Sequence, residues 1–61
     1  MSKLTEKELS SLNALLSEEE LLVKKFNNLA EQATDQAVKS ELKDIATRHQ
    51  SHFNKLYSHL S

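Results

Sequence analysis

The side chains of this sequence best suited to chemistry are one carboxylate and two imidazoles. His49 and His52 stand three residues apart, a spacing that puts both rings on one face of a helix. Glu19 occupies a position in an earlier helical pattern where the spacing of apolar residues calls for another apolar side chain. Carboxylate and imidazole groups on facing helices hold iron, manganese or zinc in helical bundles. Glu19, His49 and His52 are therefore the predicted metal ligands.

Two other interpretations of the same three residues need no metal. In the first, Glu19 accepts a hydrogen bond from one histidine and a water molecule satisfies the other, since unpaired buried polar groups are costly. A polar layer of this kind can also fix the register of a bundle. In the second, the layer lies beside a solvated gap. The pattern alone leaves these alternatives open, and it predicts that the face carrying the two histidines is buried.

The first helix of the pattern begins with a capping box. Thr5 is a favourable N-cap residue, and Glu8 follows three residues later. Beyond it, apolar residues recur at steps of three and four, which is typical of an amphipathic helix. The sequence predicts a helix over residues 5–33, with an apolar row formed by Leu9, Leu12, Leu16, Val23, Phe26, Ala30 and Ala33.

A second helix is predicted over residues 36–60, with Thr34 or Asp35 as its N-cap. A turn between Thr34 and Asp35 folds the two helices into an antiparallel hairpin. In that register Glu19 lies opposite Gln50, level with the two histidines. The apolar row of the second helix consists of Val38, Leu42, Ile45, His49, His52, Leu56 and His59.

Each helix carries an additional row that a single hairpin is expected to leave facing water. Because large exposed apolar patches mark interaction sites, we expect a second copy to cover these rows. The predicted fold class is all-α: an antiparallel helical hairpin that pairs into a homodimeric four-helix bundle. The additional rows are Leu15, Leu22 and Leu29 on the first helix and Ala46, Phe53 and Leu60 on the second.

Length and composition exclude many classes of protein. The 61 residues form one predicted domain, 1–61, and we expect a chain starting at Met1 to be a whole gene product. With no cysteine there is no disulfide and no zinc–thiolate site, and with no glycine there is no phosphate-binding loop. The 8 basic and 9 acidic residues are interspersed, so no basic stripe favours nucleic-acid binding.

The start of the chain lacks the apolar segment of a signal peptide. No apolar run approaches the roughly 20 residues that cross a bilayer. We therefore expect no membrane partner and a location in the cytoplasm or the spore. Ser10, Ser11 and Ser17 have no base placed by helical spacing, so a serine nucleophile is not predicted.

The order of these elements resembles the ferritin-like spore coat proteins of the CotF type. The likeness rests on 5–9, 15–26, the capping Asp35 and the His49–Phe53 segment, and it covers nearly the whole chain. Ferritin-like proteins use a glutamate on one helix and Glu-x-x-His on the next, and Glu19 matches the first position. The second helix departs from this pattern. If His52 is the family histidine, the glutamate position holds His49, and if His49 is, it holds Ala46.

The resemblance implies a small bundle protein, associated with the spore coat. Because the second carboxylate of the family pattern is missing, di-iron oxidase activity is not expected, and we predict a non-enzymatic protein. The leading expectation is a structural or assembly protein that forms a homodimer and contacts other proteins. The alternative is a ferritin-like metal-binding protein that holds iron, zinc or manganese at Glu19, His49 and His52. A regulator or toxin–antitoxin partner is a third option, with no motif to support it.

Overall fold

The computed structural model describes residues 3–60, and the regular secondary structure in that range is entirely helical. Helix α1 spans Glu6–Gln32 and helix α2 spans Gln36–Tyr57, and a short 3-10 helix follows over Ser58–Leu60. The two long helices pack against each other as a hairpin, as predicted. Met1, Ser2 and Ser61 belong to the predicted domain but lie outside the described residues.

Local hydrogen bonds determine where α1 begins. The Thr5 hydroxyl accepts a hydrogen bond from the Glu8 backbone N–H at 3.0 Å, and the Glu8 carboxylate accepts one from the Thr5 N–H at 2.9 Å. This is the predicted capping box. The bond from the Thr5 backbone, together with the Thr5 side chain, lowers the pKa of the Glu8 carboxyl from its ordinary value.

The connection between the helices consists of three residues and needs no glycine. Ala33 leaves the helical conformation with φ −69° and ψ 134°, while its N–H still bonds to the Leu29 carbonyl at 2.9 Å. Asp35 then caps α2, because its carboxylate accepts a hydrogen bond from the Val38 N–H at 2.9 Å. Helix α1 thus ends at a residue with extended backbone, Ala33, and not at the glycine often found after a helix. With Asp35 also extended, the chain reverses direction within three residues.

The buried core of the described residues is small. It contains two leucines and two alanines: Leu12, Leu16, Ala30 and Ala46. Larger apolar side chains beside them are half-buried, among them Val23, Phe26, Leu42, Ile45, Phe53 and Leu56. The alanines allow the two backbones to approach closely, and the neighbouring large side chains cover the contact from its edges.

Two expectations about the second helix are wrong. Ala46 and Phe53 were expected to face water, but Ala46 is 3 % exposed and Phe53 is half-buried. His52, expected on the buried face, has a side chain that is 54 % exposed. The helix is rotated about its axis relative to the prediction, since small Ala46 fits the close contact with α1 better than an imidazole does. The rotation leaves Val38 and His59 exposed as well.

The molecule is a thin rod. Its principal extents are 45 × 16 × 11 Å and its radius of gyration is 14.3 Å. A compact domain of this length would have a radius of gyration of about 10.5 Å. Two helices alone thus give a long and shallow structure, in which most side chains retain contact with solvent.

Candidate metal centre and apolar side

The carboxylate of Glu19 is the centre of the polar cluster. Glu19 lies three residues after Leu16 and four before Val23, so α1 directs it toward α2 together with these core neighbours. Its side chain is 18 % exposed. A carboxylate in this position needs partners from the facing helix, because desolvating it without them would be costly.

His49 supplies the closer of the two partners. Its Nδ1 lies 2.5 Å from Glu19 Oε1, and its side chain is 22 % exposed. The Phe26 ring stacks on the His49 ring, with centroids 5.5 Å apart and planes inclined at 25°. The imidazole is thus held by the carboxylate and by an aromatic ring, which leaves it little rotational freedom.

His52 supplies the second partner and is the more open one. Its Nδ1 lies 3.3 Å from Glu19 Oε2, so the two carboxylate oxygens serve different histidines. The two imidazoles meet edge to face, with centroids 5.7 Å apart and planes at 88°. The hydrogen bond of Glu19 is with His49, and its contact with His52 is the longer one. No buried side-chain nitrogen or oxygen of residues 3–60 lacks a hydrogen-bond partner.

The structure brings together all three residues that the sequence singled out. One donor atom from each lies within 4.8 Å of the other two. The cluster is not a buried core layer, as the exposure of His52 shows. It lies at one edge of the helix contact, where solvent or a partner can reach it.

Residues near the cluster have other environments. Glu18 and Glu20 are exposed on α1, and neither belongs to the converging group. His59 also lies outside that group and lines an open hollow near the N-terminal end of α1. Phe26 was expected only as a core residue, and its stacking on His49 was missed. The available signal was its position seven residues after Glu19, on the same helical face.

The two broad sides of the hairpin differ in polarity. On one side, Leu15, Leu22 and Leu29 recur every seven residues on α1, and Val38, Ile45 and His52 do so on α2. A hollow on this side is lined by Leu12 and Leu15 together with His59. Because His59 continues the α2 row, the two rows lie on the same side of the hairpin. We call this side of the hairpin the leucine side. A hollow on the other side is lined mostly by polar residues: Val23, Asn27, Ala46, Thr47, Gln50, Ser51 and Asn54.

Several leucine-side residues are open to solvent. Leu15 is 47 % exposed, Leu29 is 51 % and Val38 is 49 %, while Leu22 and Ile45 are half-buried. An apolar strip of this kind, extending along both helices, is a typical protein-interaction surface. The prediction that Leu15 and Leu29 face water in a single hairpin is confirmed.

Comparison with known proteins adds no relative. No match to this chain is found among protein-family models, curated proteins or solved structures. Within residues 3–60, neither helix combines the length and the apolar character required to cross a bilayer. The fold and the site define an all-helical hairpin with a carboxylate–imidazole cluster at one edge and an apolar side that is exposed in the single chain.

Proposed function

We infer that this chain is a structural protein that works by self-assembly, and that its basic unit is a homodimeric four-helix bundle. The observation that carries the proposal is the leucine side. Two hairpins placed leucine side against leucine side would bury both apolar rows of each chain, as the layers of a four-helix bundle do. The contact is isologous, since the same surface of each copy meets its equivalent.

The size of the surface supports a second copy as its occupant. A broad side of 45 × 16 Å has a projected area of about 700 Å², close to the roughly 800 Å² that each partner contributes to a standard interface. The small core supports it too, because domains of this size rarely obtain enough stability from one core and commonly gain it by oligomerisation. A rod-shaped copy of the same length matches the long, narrow strip from end to end.

The experiment compares two substitutions on α1 that are matched in exposure. Leu29 and Leu21 are each 51 % exposed. Leu29 lies on the leucine side, whereas Leu21 lies about 100° around the helix from Leu22, on the edge of α1 that faces away from α2. Leu29→Glu should weaken self-association at least about tenfold by placing a charge in the interface. Leu21→Glu should leave it unchanged.

The measurement is mass in solution by sedimentation velocity at micromolar concentration. The wild-type chain and Leu21→Glu should sediment as dimers, with twice the 7.0 kDa mass of one chain. Leu29→Glu should sediment with the mass of one chain. Circular dichroism checks that both variants remain helical. A well-folded wild-type monomer at this concentration would contradict the proposal, and so would equal effects of the two substitutions.

The setting that we infer for this assembly is the spore coat. The support is the resemblance of the Thr5–Leu9 and Leu15–Phe26 segments and of the His49–Phe53 segment to coat proteins of the CotF type. If the encoding organism forms spores, the tagged protein should be recovered with the coat fraction of purified spores. Recovery only in the soluble fraction of the mother cell would remove this part of the proposal and leave the dimer untouched.

A further inference from the structure

The cluster at Glu19 has the composition of a mononuclear metal site. Two imidazole nitrogens and one carboxylate form a three-ligand set that zinc takes in proteins, with a fourth position left for water. Divalent metals that accept nitrogen ligands favour such a set, whereas Mg²⁺ and Ca²⁺ prefer sites made only of oxygens. We propose that Glu19, His49 and His52 of a single chain bind one divalent transition-metal ion such as Zn²⁺.

The positions of the donor atoms fit this proposal. Ligand atoms of a tetrahedral zinc site are about 3.3–3.5 Å apart, given metal–ligand distances of about 2.0–2.2 Å. One donor from each residue already lies within 4.8 Å of the other two. The remaining gap closes through His52, whose half-exposed ring is free of tight packing on its solvent side and can turn toward the other two donors.

The site is held in place on its inner side. Phe26 stacks on His49, and the two histidines stand on consecutive turns of α2, so the helix itself fixes their spacing. Glu19 faces both rings from α1. Metal binding exchanges the two carboxylate–imidazole contacts for three bonds to the ion, and each neutral imidazole carries its proton on the nitrogen that does not bind. Before binding, the carboxylate keeps the ligands together.

The site uses donors from one chain only, so it does not depend on self-association. A metal ion at this position would link α1 to α2 near the middle of the rod. Because the ion binds the folded hairpin and not the unfolded chain in this geometry, it would also raise the stability of the fold. His52 and the fourth position open toward the leucine side, so in the dimer that we infer they would face the second copy.

The test uses the full, untagged chain, freed of metal and titrated with Zn²⁺ in competition with a chromophoric chelator. Wild-type protein should bind one ion per chain. His52→Ala should lower the affinity at least tenfold, because a direct ligand matters at least as much as a supporting group, whose loss costs roughly 10- to 100-fold. His52 is largely exposed, so this substitution leaves the helix contact intact. Glu19→Gln keeps the size of the side chain, removes its charge and should have the same effect.

The matched control is His59→Ala, which removes a histidine of the same chain outside the converging group. It should bind Zn²⁺ as tightly as the wild type, as should the Leu29→Glu variant that tests self-association. Co²⁺ bound to the wild type should give the intense visible absorption of a four-coordinate site, lost in His52→Ala. Equal affinity in the wild type, His52→Ala and Glu19→Gln would overturn the proposal. An equal loss in His59→Ala would do the same, by showing adventitious binding to surface histidines.

Discussion

At the scale of single residues, the structure shows how a carboxylate is accommodated in a helix contact. Glu19 is mostly buried and uses its two oxygens for two different imidazoles. Its desolvation is offset by those contacts and by the open side of the cluster at His52. Ala46 has the opposite role. It contributes almost nothing but its small size, and that size determines which face of α2 approaches α1.

The importance of the small side chain at position 46 can be measured by replacing it with a larger one. Ala46→Leu should destabilise the hairpin by about 1–3 kcal/mol, because extra methylene groups in a packed contact force neighbouring side chains and backbone apart. For a domain of this size the thermal midpoint should fall by roughly 4–8 °C for each kcal/mol. Thermal unfolding followed by circular dichroism provides the measurement.

Ala37→Leu is the matched control, since Ala37 is exposed on the same helix and the change in helix propensity is the same. Its midpoint should stay close to that of the wild type. Equal midpoints for Ala46→Leu and Ala37→Leu would show that the close contact at Ala46 is not present in solution.

At the scale of elements, the two helices are defined by their caps. The capping box at Thr5 starts α1, and Asp35 starts α2. In each case a side chain accepts a hydrogen bond from a backbone N–H of the first turn that has no partner within the helix. The short connection then leaves the chain no geometry other than antiparallel packing of neighbours. Because the capping box at Thr5 depends on the Glu8 carboxylate, the start of α1 should respond to pH.

Glu8 allows a specific prediction about acid. Its pKa is lowered by the hydrogen bond from the Thr5 backbone, so the charged form is favoured in the folded state. The stability that Glu8 contributes is therefore fully present above the ordinary glutamate value of 4.5 and is lost as the pH falls through the lower folded value. In Glu8→Gln this part of the acid dependence should be missing, because glutamine accepts the same bond without titrating.

Urea unfolding midpoints between neutral pH and pH 3 give the comparison. Glu18→Gln is the control, because this exposed glutamate in the middle of α1 takes no part in a cap. It should keep the wild-type decline on acidification, while Glu8→Gln should decline less. Parallel curves for all three proteins would mean that the capping box does not persist in solution.

At the scale of the whole molecule, the main feature is the imbalance between core and surface. Four apolar residues of the described chain are buried, while the leucine side leaves a continuous strip uncovered. A hairpin of this kind has little to stabilise it alone. The dimer that we infer would supply the missing core, and stability would then depend on chain concentration.

The thermal midpoint of the wild-type chain should rise with concentration, since a dimer is favoured by mass action over unfolded monomers. Each tenfold increase in concentration adds about 1.4 kcal/mol per mole of dimer. The Leu29→Glu variant should show a midpoint independent of concentration. A wild-type midpoint that does not change over a hundredfold range would argue against a dimeric native state.

The sequence by itself determined the elements and the level at which the polar residues meet. The capping signals at Thr5 and Asp35 are local, and helical spacing with a short turn is enough to place Glu19 level with the two histidines. Such features depend on neighbours along the chain, and hydrogen bonds at 2.9–3.0 Å bear out both caps.

Only the tertiary structure decided how the helices are rotated about their axes. His49, Ala46 and Phe53 lie within a narrow arc of α2, so periodicity could not tell which of them would face α1. Close packing settled the question in favour of Ala46, because a methyl group permits the backbone approach that an imidazole prevents. The same rotation moved His52 to the edge of the contact. It thereby turned an expected core layer into an accessible cluster of three donor groups.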